Sequence, residues 1–482
     1  MNWPIPSARV RQIMAAHSGL GLAAGALMYL VCLTGTLVVF AEEFERWETA
    51  AVAERLEYEP VQLERAVADY LARTPSPEPT LYLVMPTPGM PRLHLATQAH
   101  EWLIDESGAL AGELVPRWTD MLQQLHIQLH LPELPGLLLV GVLGVMLSSL
   151  IVSGVLAHPR LLRDVFRLRR GDHDDRLAQA DLHNRLGVWG LPFHLMIGLT
   201  GAFLGLVSLF YAVLAAVFDD NDRAAVLARM YGADIEISAP APPRLDTGRA
   251  LADLAVRVPQ AQPLYLAVHA AGTDRHYMEI AATLPRRLVY SEIYRYSAAG
   301  EFINHQALAD GPFGRQLAYS MYRLHFGSFL GLPVKIVYGL LGAALTVICA
   351  TGVNIWLVRR ARRGVFDELW AAVVWGVPGA LALAAGAALL GTSPIGVFLG
   401  AVLTFALGAL LCRDDAQARR MLQMLLAVAL VAVPALHLWR FGIDAGEAAM
   451  GVNAALLTGA LLAALRARQR RPAAGVASAV GG

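Results

Sequence analysis

Eight stretches of this chain are apolar over lengths that approach or reach a bilayer crossing, and that leaves the backbone little choice. A segment in lipid finds no water for its N–H and C=O groups, and a helix satisfies them internally. The runs lie at about 14–40, 136–157, 186–217, 334–358, 371–390, 394–412, 421–438 and 448–466, against the roughly 20 residues that a crossing helix needs. Pro378, Pro394 and Pro434 interrupt or bound the last four. The chain is 56% hydrophobic and 16% charged, so its 482 residues read as one multi-span membrane protein rather than three soluble domains. Its net charge is zero, and bulk electrostatics gives no reason to expect a nucleic acid as partner.

Arginine placement orients the spans. Arg9 and Arg11 precede the first span, and Arg160, Arg163, Arg167, Arg169, Arg170 and Arg176 follow the second. Arg359, Arg360, Arg362 and Arg363 follow the fourth span, and Arg413, Arg419 and Arg420 separate the sixth from the seventh. Arg466, Arg468, Arg470 and Arg471 close the chain. With eight spans all five clusters fall on one side, which the positive-inside rule assigns to the cytoplasm together with both termini. The N-terminal segment runs into the first long span and reads as retained rather than as a cleaved signal.

Two polar segments, 42–125 and 219–324, then lie outside. Each carries a helix-like stretch (Leu63 to Leu71; Ala250 to Val258), a strand (Leu81 to Val84; Leu264 to Ala267) and a glycine-bearing turn (Asp105 to Gly108; Ser297 to Gly300). Such segments suit small antiparallel sheets packed on a helix. The order of span, small α+β module and span occurs twice in the same sense, so the halves should be related by a pseudo-two-fold axis along the membrane normal.

Histidines carry the chemical signal. His17 and His183 stand seventeen residues before Thr34-Gly35 and Thr200-Gly201, and His126 and His325 stand 27 and 26 residues before Ser153-Gly154 and Thr351-Gly352. Ligand-capable side chains are rare in spans and point to function, and four in a duplicated pattern point to metal or haem ligation within a helical bundle. Cys32, Cys349 and Cys412 all fall in apolar stretches and read as packing residues. The absence of Cys-x-x-Cys-His argues against covalently attached haem. No zinc-protease, nucleophile-elbow, P-loop or dinucleotide fingerprint occurs in a suitable context.

The stretches His17 to Phe40, Leu125-His126 to Pro159, Leu182-His183 to Leu206 and Leu324-His325-Phe326-Gly327 to Arg360 resemble the PepSY-associated transmembrane family of bacterial inner-membrane proteins. The resemblance covers roughly 10–363, with the two outer segments as degenerate PepSY modules. It implies an iron-regulated protein like the haem-containing ferric-siderophore reductases: a b-type haem carrier passing electrons towards the periplasm. Quinol or a cytoplasmic reductase would be the donor. The last four spans lie outside the family pattern.

A two-fold axis would bring His17 to His183 near the cytoplasmic face and His126 to His325 near the periplasmic face. Each pair would offer two axial imidazoles for one of two haem b groups. Seventeen or eighteen residues of helix, about 27 Å, would separate the two levels. His130, one turn beyond His126 if that stretch is helical, and His194, about three turns inside the third span, are further ligand candidates. The glycines would let a porphyrin or a helix approach. His94, His100, His269, His276 and His305 read as surface residues, His158 and His173 as solvated, and His437 as an interfacial anchor. Glu42, Glu43, Glu45, Asp219, Asp220 and Asp222 read as exposed span ends, and Arg295 and Arg323 as secondary candidates for attracting an anionic chelate.

The expected protein is mainly α-helical: a duplicated four-helix core with two periplasmic α+β modules. Its parts are 1–41 (N-terminus and first span), 42–125 (first module), 126–218 (second and third spans), 219–324 (second module), 325–363 (fourth span and arginines) and 364–482 (four-span extension). The expected activity is reduction of a periplasmic ferric chelate. The alternatives are a transporter component for iron or its chelate, with spans five to eight in the path, and a non-catalytic PepSY interaction protein.

Overall fold

The computed structural model describes residues 6–158, 175–232, 235, 240–242, 244–360 and 364–469. Arg160, Arg163, Arg167, Arg169, Arg170, His173, Arg362, Arg363, Arg470 and Arg471 lie outside the described residues, as does the side chain of Arg176.

The first half runs α1 (Ser7–Val38), α2 (Ala41–Glu48), α3 (Pro60–Arg73), β1 (Thr80–Val84), β2 (His94–Ala96), β3 (Glu101–Ile104), β4 (Leu110–Glu113), α4 (Arg117–Gln128) and α5 (Glu133–Ala157). The second half repeats this order with α6 (Asp175–Trp189), α7 (Leu191–Phe218), α8 (Arg223–Tyr231), α9 (Thr247–Arg257), β5 (Gln262–His269), β6 (Tyr277–Thr283), β7 (Glu292–Ser297), β8 (Phe302–His305), α10 (Phe313–Phe326) and α11 (Leu332–Val358). The extension adds α12 (Val365–Ala371), a π-helical turn at Ala372–Gly376, α13 (Val377–Leu389), α14 (Pro394–Cys412), α15 (Asp415–Phe441) and α16 (Glu447–Arg468). Among the described residues eight helical units are long and apolar enough to cross a membrane: α1, α5, α7, α11, the unit Val365–Leu389, α14, α15 and α16. The chain is a mainly helical, multi-pass membrane protein.

The two polar segments do not stand apart. Their strands form one antiparallel sheet in the order β4-β3-β2-β1-β5-β6-β7-β8. The central pair, β1 and β5, is antiparallel with Tyr82 opposite Ala267, as a two-fold axis through the joint requires. Alternation along each strand sends Leu81, Leu83, Leu266, Met278, Ile280 and Tyr296 to one face, where Leu63 of α3 and Leu254 of α9 complete a buried core. On the other face Tyr265, Ala281 and Ile293 meet Tyr319 of α10. The turns expected at Gly108 and Gly300 join β3 to β4 and β7 to β8, both glycines with positive φ (87° and 74°).

In the bundle the helices approach through small residues. A Cβ added to Gly205 of α7 would lie 2.6 Å from the Gly141 Cα of α5, and one on Gly342 of α11 2.7 Å from Thr36 Oγ1 of α1. Without a hydrophobic drive between spans in lipid, such close backbone packing is what holds them together. The extension docks on both halves: the Tyr29 hydroxyl of α1 donates to the Val374 carbonyl (2.8 Å) and the Trp370 indole to Asn354 Oδ1 of α11 (2.9 Å).

Candidate functional site

Each of the four patterned histidines is gripped by a helix other than its own. His17 Nδ1 on α1 is hydrogen-bonded to Ser153 Oγ of α5 (3.0 Å), and His325 Nδ1 on α10 to Thr200 Oγ1 of α7 (2.9 Å). His126 on α4 reaches the Val31 carbonyl of α1 (3.0 Å), and His183 on α6 reaches the Ile348 carbonyl (3.1 Å) and Thr351 Oγ1 (3.2 Å) of α11. The glycine of each small pair faces the visiting ring: Gly35 faces His126, Gly154 faces His17, Gly201 faces His325 and Gly352 faces His183.

Two of these contacts fix the tautomer. A carbonyl only accepts, so Nδ1 of His126 and His183 carries the hydrogen. The three hydroxyls each donate to a carbonyl of their own helix: Ser153 to Leu150, Thr200 to Met196 and Thr351 to Val347. Each hydroxyl oxygen keeps lone pairs that can take an Nδ1–H. His126 and His183 therefore present Nε2 as a bare lone pair, the form in which imidazole binds a metal, with the Nδ1–H bond orienting the ring, and the hydroxyl partners of His17 and His325 are compatible with the same tautomer.

The rings then meet in pairs. The centres of His17 and His183 are 6.4 Å apart at 87°, and those of His126 and His325 are 6.0 Å apart at 20°. A metal–nitrogen bond of about 2 Å plus about 1 Å from nitrogen to ring centre, taken twice, puts the centres roughly 6 Å apart across one metal ion. The centre-to-centre spacing of both pairs fits two imidazoles on one ion. Among the described residues no group of three or more His, Cys, Asp or Glu side chains gathers to hold a metal; a metal here would need its remaining ligands from elsewhere. The first pair lies on the side where Arg9 and Arg359 lie, and the second beneath the sheet.

Comparison with known proteins identifies the scaffold. Residues 14–359 match the family described as the PepSY-associated TM region. The chain belongs to that family. An uncharacterized protein of Pseudomonas aeruginosa is 34% identical over 261 residues, covering 50% of this chain and 64% of that relative. The family match takes in both histidine pairs of this PepSY-associated protein and ends before the extension.

Several sequence expectations are corrected. His183 does not begin the third span: it sits on the separate helix α6, which Gly190 divides from α7. His194 consequently falls in the first turn of α7 rather than three turns in, buried, with Nε2 bonded to the Leu341 carbonyl (3.2 Å). His130 shares no helix face with His126, because α4 ends at Gln128 and Leu129 and His130 turn left-handed (φ 55° and 54°). The structure brings neither His130 nor His194 into a histidine pair.

Other residues read as exposed are buried. His94 bonds the Arg92 carbonyl, and burial pushes its imidazole pKa down. His437 is fully buried between α2 and α16 rather than anchored at an interface. Arg295 is 4% exposed and bonded to Glu279 (2.7 Å), so it cannot attract a chelate from solution. Burial would raise the Glu279 carboxyl, but hydrogen bonds from His269 and Arg295 outweigh it and hold the pKa below the usual range. Arg323 donates to the Arg287 and Val289 carbonyls. Glu42 and Glu43 are tied to Lys335 of α11 (2.6 and 2.8 Å). Glu45 Oε1 is buried without a partner, and burial with the nearby Glu101 carboxylate pushes its pKa up to about 8.

The sequence reading missed what the hydroxyl before three of the four glycines does. Ser153, Thr200 and Thr351 were legible as small residues beside glycine; that each is hydrogen-bonded to a histidine Nδ1 depends on which helix each histidine visits.

Proposed function

We propose that this protein is a b-type haem oxidoreductase carrying electrons across the bacterial inner membrane to reduce a ferric chelate, such as a siderophore, on the sheet side. The observation that carries the reading is the two imidazole pairs, each with ring centres about 6 Å apart and each with one ring, His183 or His126, whose Nδ1–H is held by a carbonyl so that Nε2 is free to bind. His17 with His183 would hold one haem and His126 with His325 the other. Bound haem supplies one-electron ferric–ferrous chemistry.

The chain's own residues do the rest. Ser153, Val31, Ile348, Thr351 and Thr200 orient the four rings, and Gly35, Gly154, Gly201 and Gly352 give them room. The span of about 27 Å between His17 and Gly35, eighteen residues at 1.5 Å each, sets the two levels near opposite faces. By the positive-inside rule the arginine side is cytoplasmic, where the donor, quinol or a reductase, would act.

The transporter alternative asks for polar groups lining a path through the last four spans. Thr404 and Thr458 instead bond carbonyls of their own helices, Thr392 bonds the Ala387 carbonyl at the end of α13, and Asn453 is taken up by Trp47 and His437.

The test is a dithionite-reduced minus oxidised optical spectrum of the purified protein, with haem quantified per chain. A sharp b-type α-band and about two haems per chain are expected. Colourless protein purified from haem-sufficient cells would overturn the proposal.

A further inference from the structure

The extension beyond the family match makes its main contact with the first half through two short helices, and one of them ends in His126. Helix α4 begins after Pro116, whose side chain caps nothing, so its first N–H groups need acceptors. The Glu48 carboxylate of α2 supplies them: it accepts from the Trp118 N–H (2.8 Å), the Thr119 N–H (3.2 Å) and the Thr119 hydroxyl (3.3 Å). A carboxylate at a helix N-terminus is also favoured by the helix dipole.

Both helices are then fastened to the extension. The Trp118 indole donates to the Leu381 carbonyl of α13 (3.0 Å). The Trp47 indole donates to Asn453 Oδ1 of α16 (2.9 Å), the Asn453 amide donates to His437 Nδ1 of α15 (3.2 Å), and His437 Nε2 donates to the Trp47 carbonyl (2.9 Å). These three bonds close a buried ring. The Trp47 and His437 rings also stack, with centres 5.0 Å apart at 11°. Polar groups in an apolar setting are costly unless paired, so a fully paired ring admits one register of α2 against the extension. Met121, Leu122 and Leu125 of α4 pack in the same cluster as Ala384, Ala388 and Val452, up to the residue before His126.

Helix α10, which carries His325, is held from the second module instead of the extension: Tyr319 packs on the sheet, and Arg323 donates to the Arg287 and Val289 carbonyls. It also starts after an uncapping proline, Pro312, and packs on α7 and α8. Its Phe313, Leu317 and Phe326 are exposed (78%, 45% and 46%).

We propose that the four-span extension is a brace that positions His126 through Glu48, Trp118 and the Trp47–Asn453–His437 ring, so that one partner of the sheet-side imidazole pair is held from outside the family core. Glu48 and Trp118 are positioning residues. What His126 ligates rests on the proposed function; the brace does not.

The experiment is hydrogen–deuterium exchange on the full-length protein in lipid nanodiscs, comparing segments 117–128 and 313–326. E48A should speed exchange of 117–128 about tenfold or more and leave 313–326 unchanged. E48Q, which keeps an acceptor oxygen, should restore most of the protection. W118F keeps the ring but not the indole donor, and should loosen the same segment if E48A fails to fold. In haem-loaded protein, electron paramagnetic resonance should show E48A altering one low-spin signal of two. Native exchange of 117–128 in both E48A and W118F, or equal loosening of 313–326, would overturn the brace. Haem-free native protein would sink the proposed function and leave the exchange result to decide the brace.

Discussion

Adding one methyl group at Gly35 should do far more harm than at Gly154, although the two glycines occupy like places against the two histidine pairs. A Cβ at Gly35 would stand 2.5 Å from His126 Cε1 and 2.9 Å from Nδ1, closer than Cβ atoms come to any neighbour. At Gly201 and Gly352 the distances to His325 and His183 are 3.1 and 3.3 Å, and at Gly154 the distance to His17 is 3.4 Å, an ordinary contact. The His126 ring cannot slide aside freely, since its Nδ1–H is bonded to Val31, one turn from Gly35 on the same helix. Overpacking costs about 1–3 kcal/mol, and losing a hydrogen bond costs about 1 kcal/mol more. The sum, about 2–4 kcal/mol, shifts the equilibrium between seated and displaced ring roughly 30- to 1,000-fold. G154A should stay within about 0.5 kcal/mol of the parent, with G201A and G352A between. The assay is thermal unfolding of the four variants in one detergent, read beside haem retained per chain. If G35A and G154A melt together and retain haem equally, the seating of His126 against α1 is wrong.

Three further outcomes follow from the geometry. Single alanine variants at His126 or His325 should lose the sheet-side haem, and those at His17 or His183 the other, while H130A and H194A keep both; haem counts and α-band spectra decide this, and loss of both haems in H194A would refute the pairing. The Glu45 carboxyl holds its proton up to about 8 when folded but releases it near the ordinary 4.5 when unfolded, so the native state loses stability as pH rises from about 4.5 to 8. E45Q cannot ionise, and its advantage over the parent should be larger at pH 9 than at pH 5; parallel melting curves would refute it. G205L forces bulk into a crossing where even a Cβ would lie 2.6 Å from the Gly141 backbone, and should cut the yield of monodisperse protein severely, as size-exclusion chromatography would show.

Much was open to a reader of the sequence because it is a local property. A helix in lipid must be apolar along its whole length, so the spans declare themselves. Alternation in Leu81 to Val84 marks a half-buried strand, and Gly108 and Gly300 mark turns that need positive φ. Duplication could be seen because both halves keep the same order of histidine, span and small pair. Distance across the fold is another matter. That Thr34-Gly35 serves His126, and Ser153-Gly154 serves His17, depends on which helices lie side by side. The break at Gly190, which moves His183 onto its own helix, is visible in the sequence only as one glycine among 43. Arg295 and His437 read as surface groups because their partners, Glu279 and Asn453, lie 16 residues away in each case, and burial depends on what else packs over them. Composition and period set the helices, strands and turns of this protein; only the packing of the chain on itself decided which imidazoles face each other, because that pairing is made between helices that the sequence keeps more than a hundred residues apart.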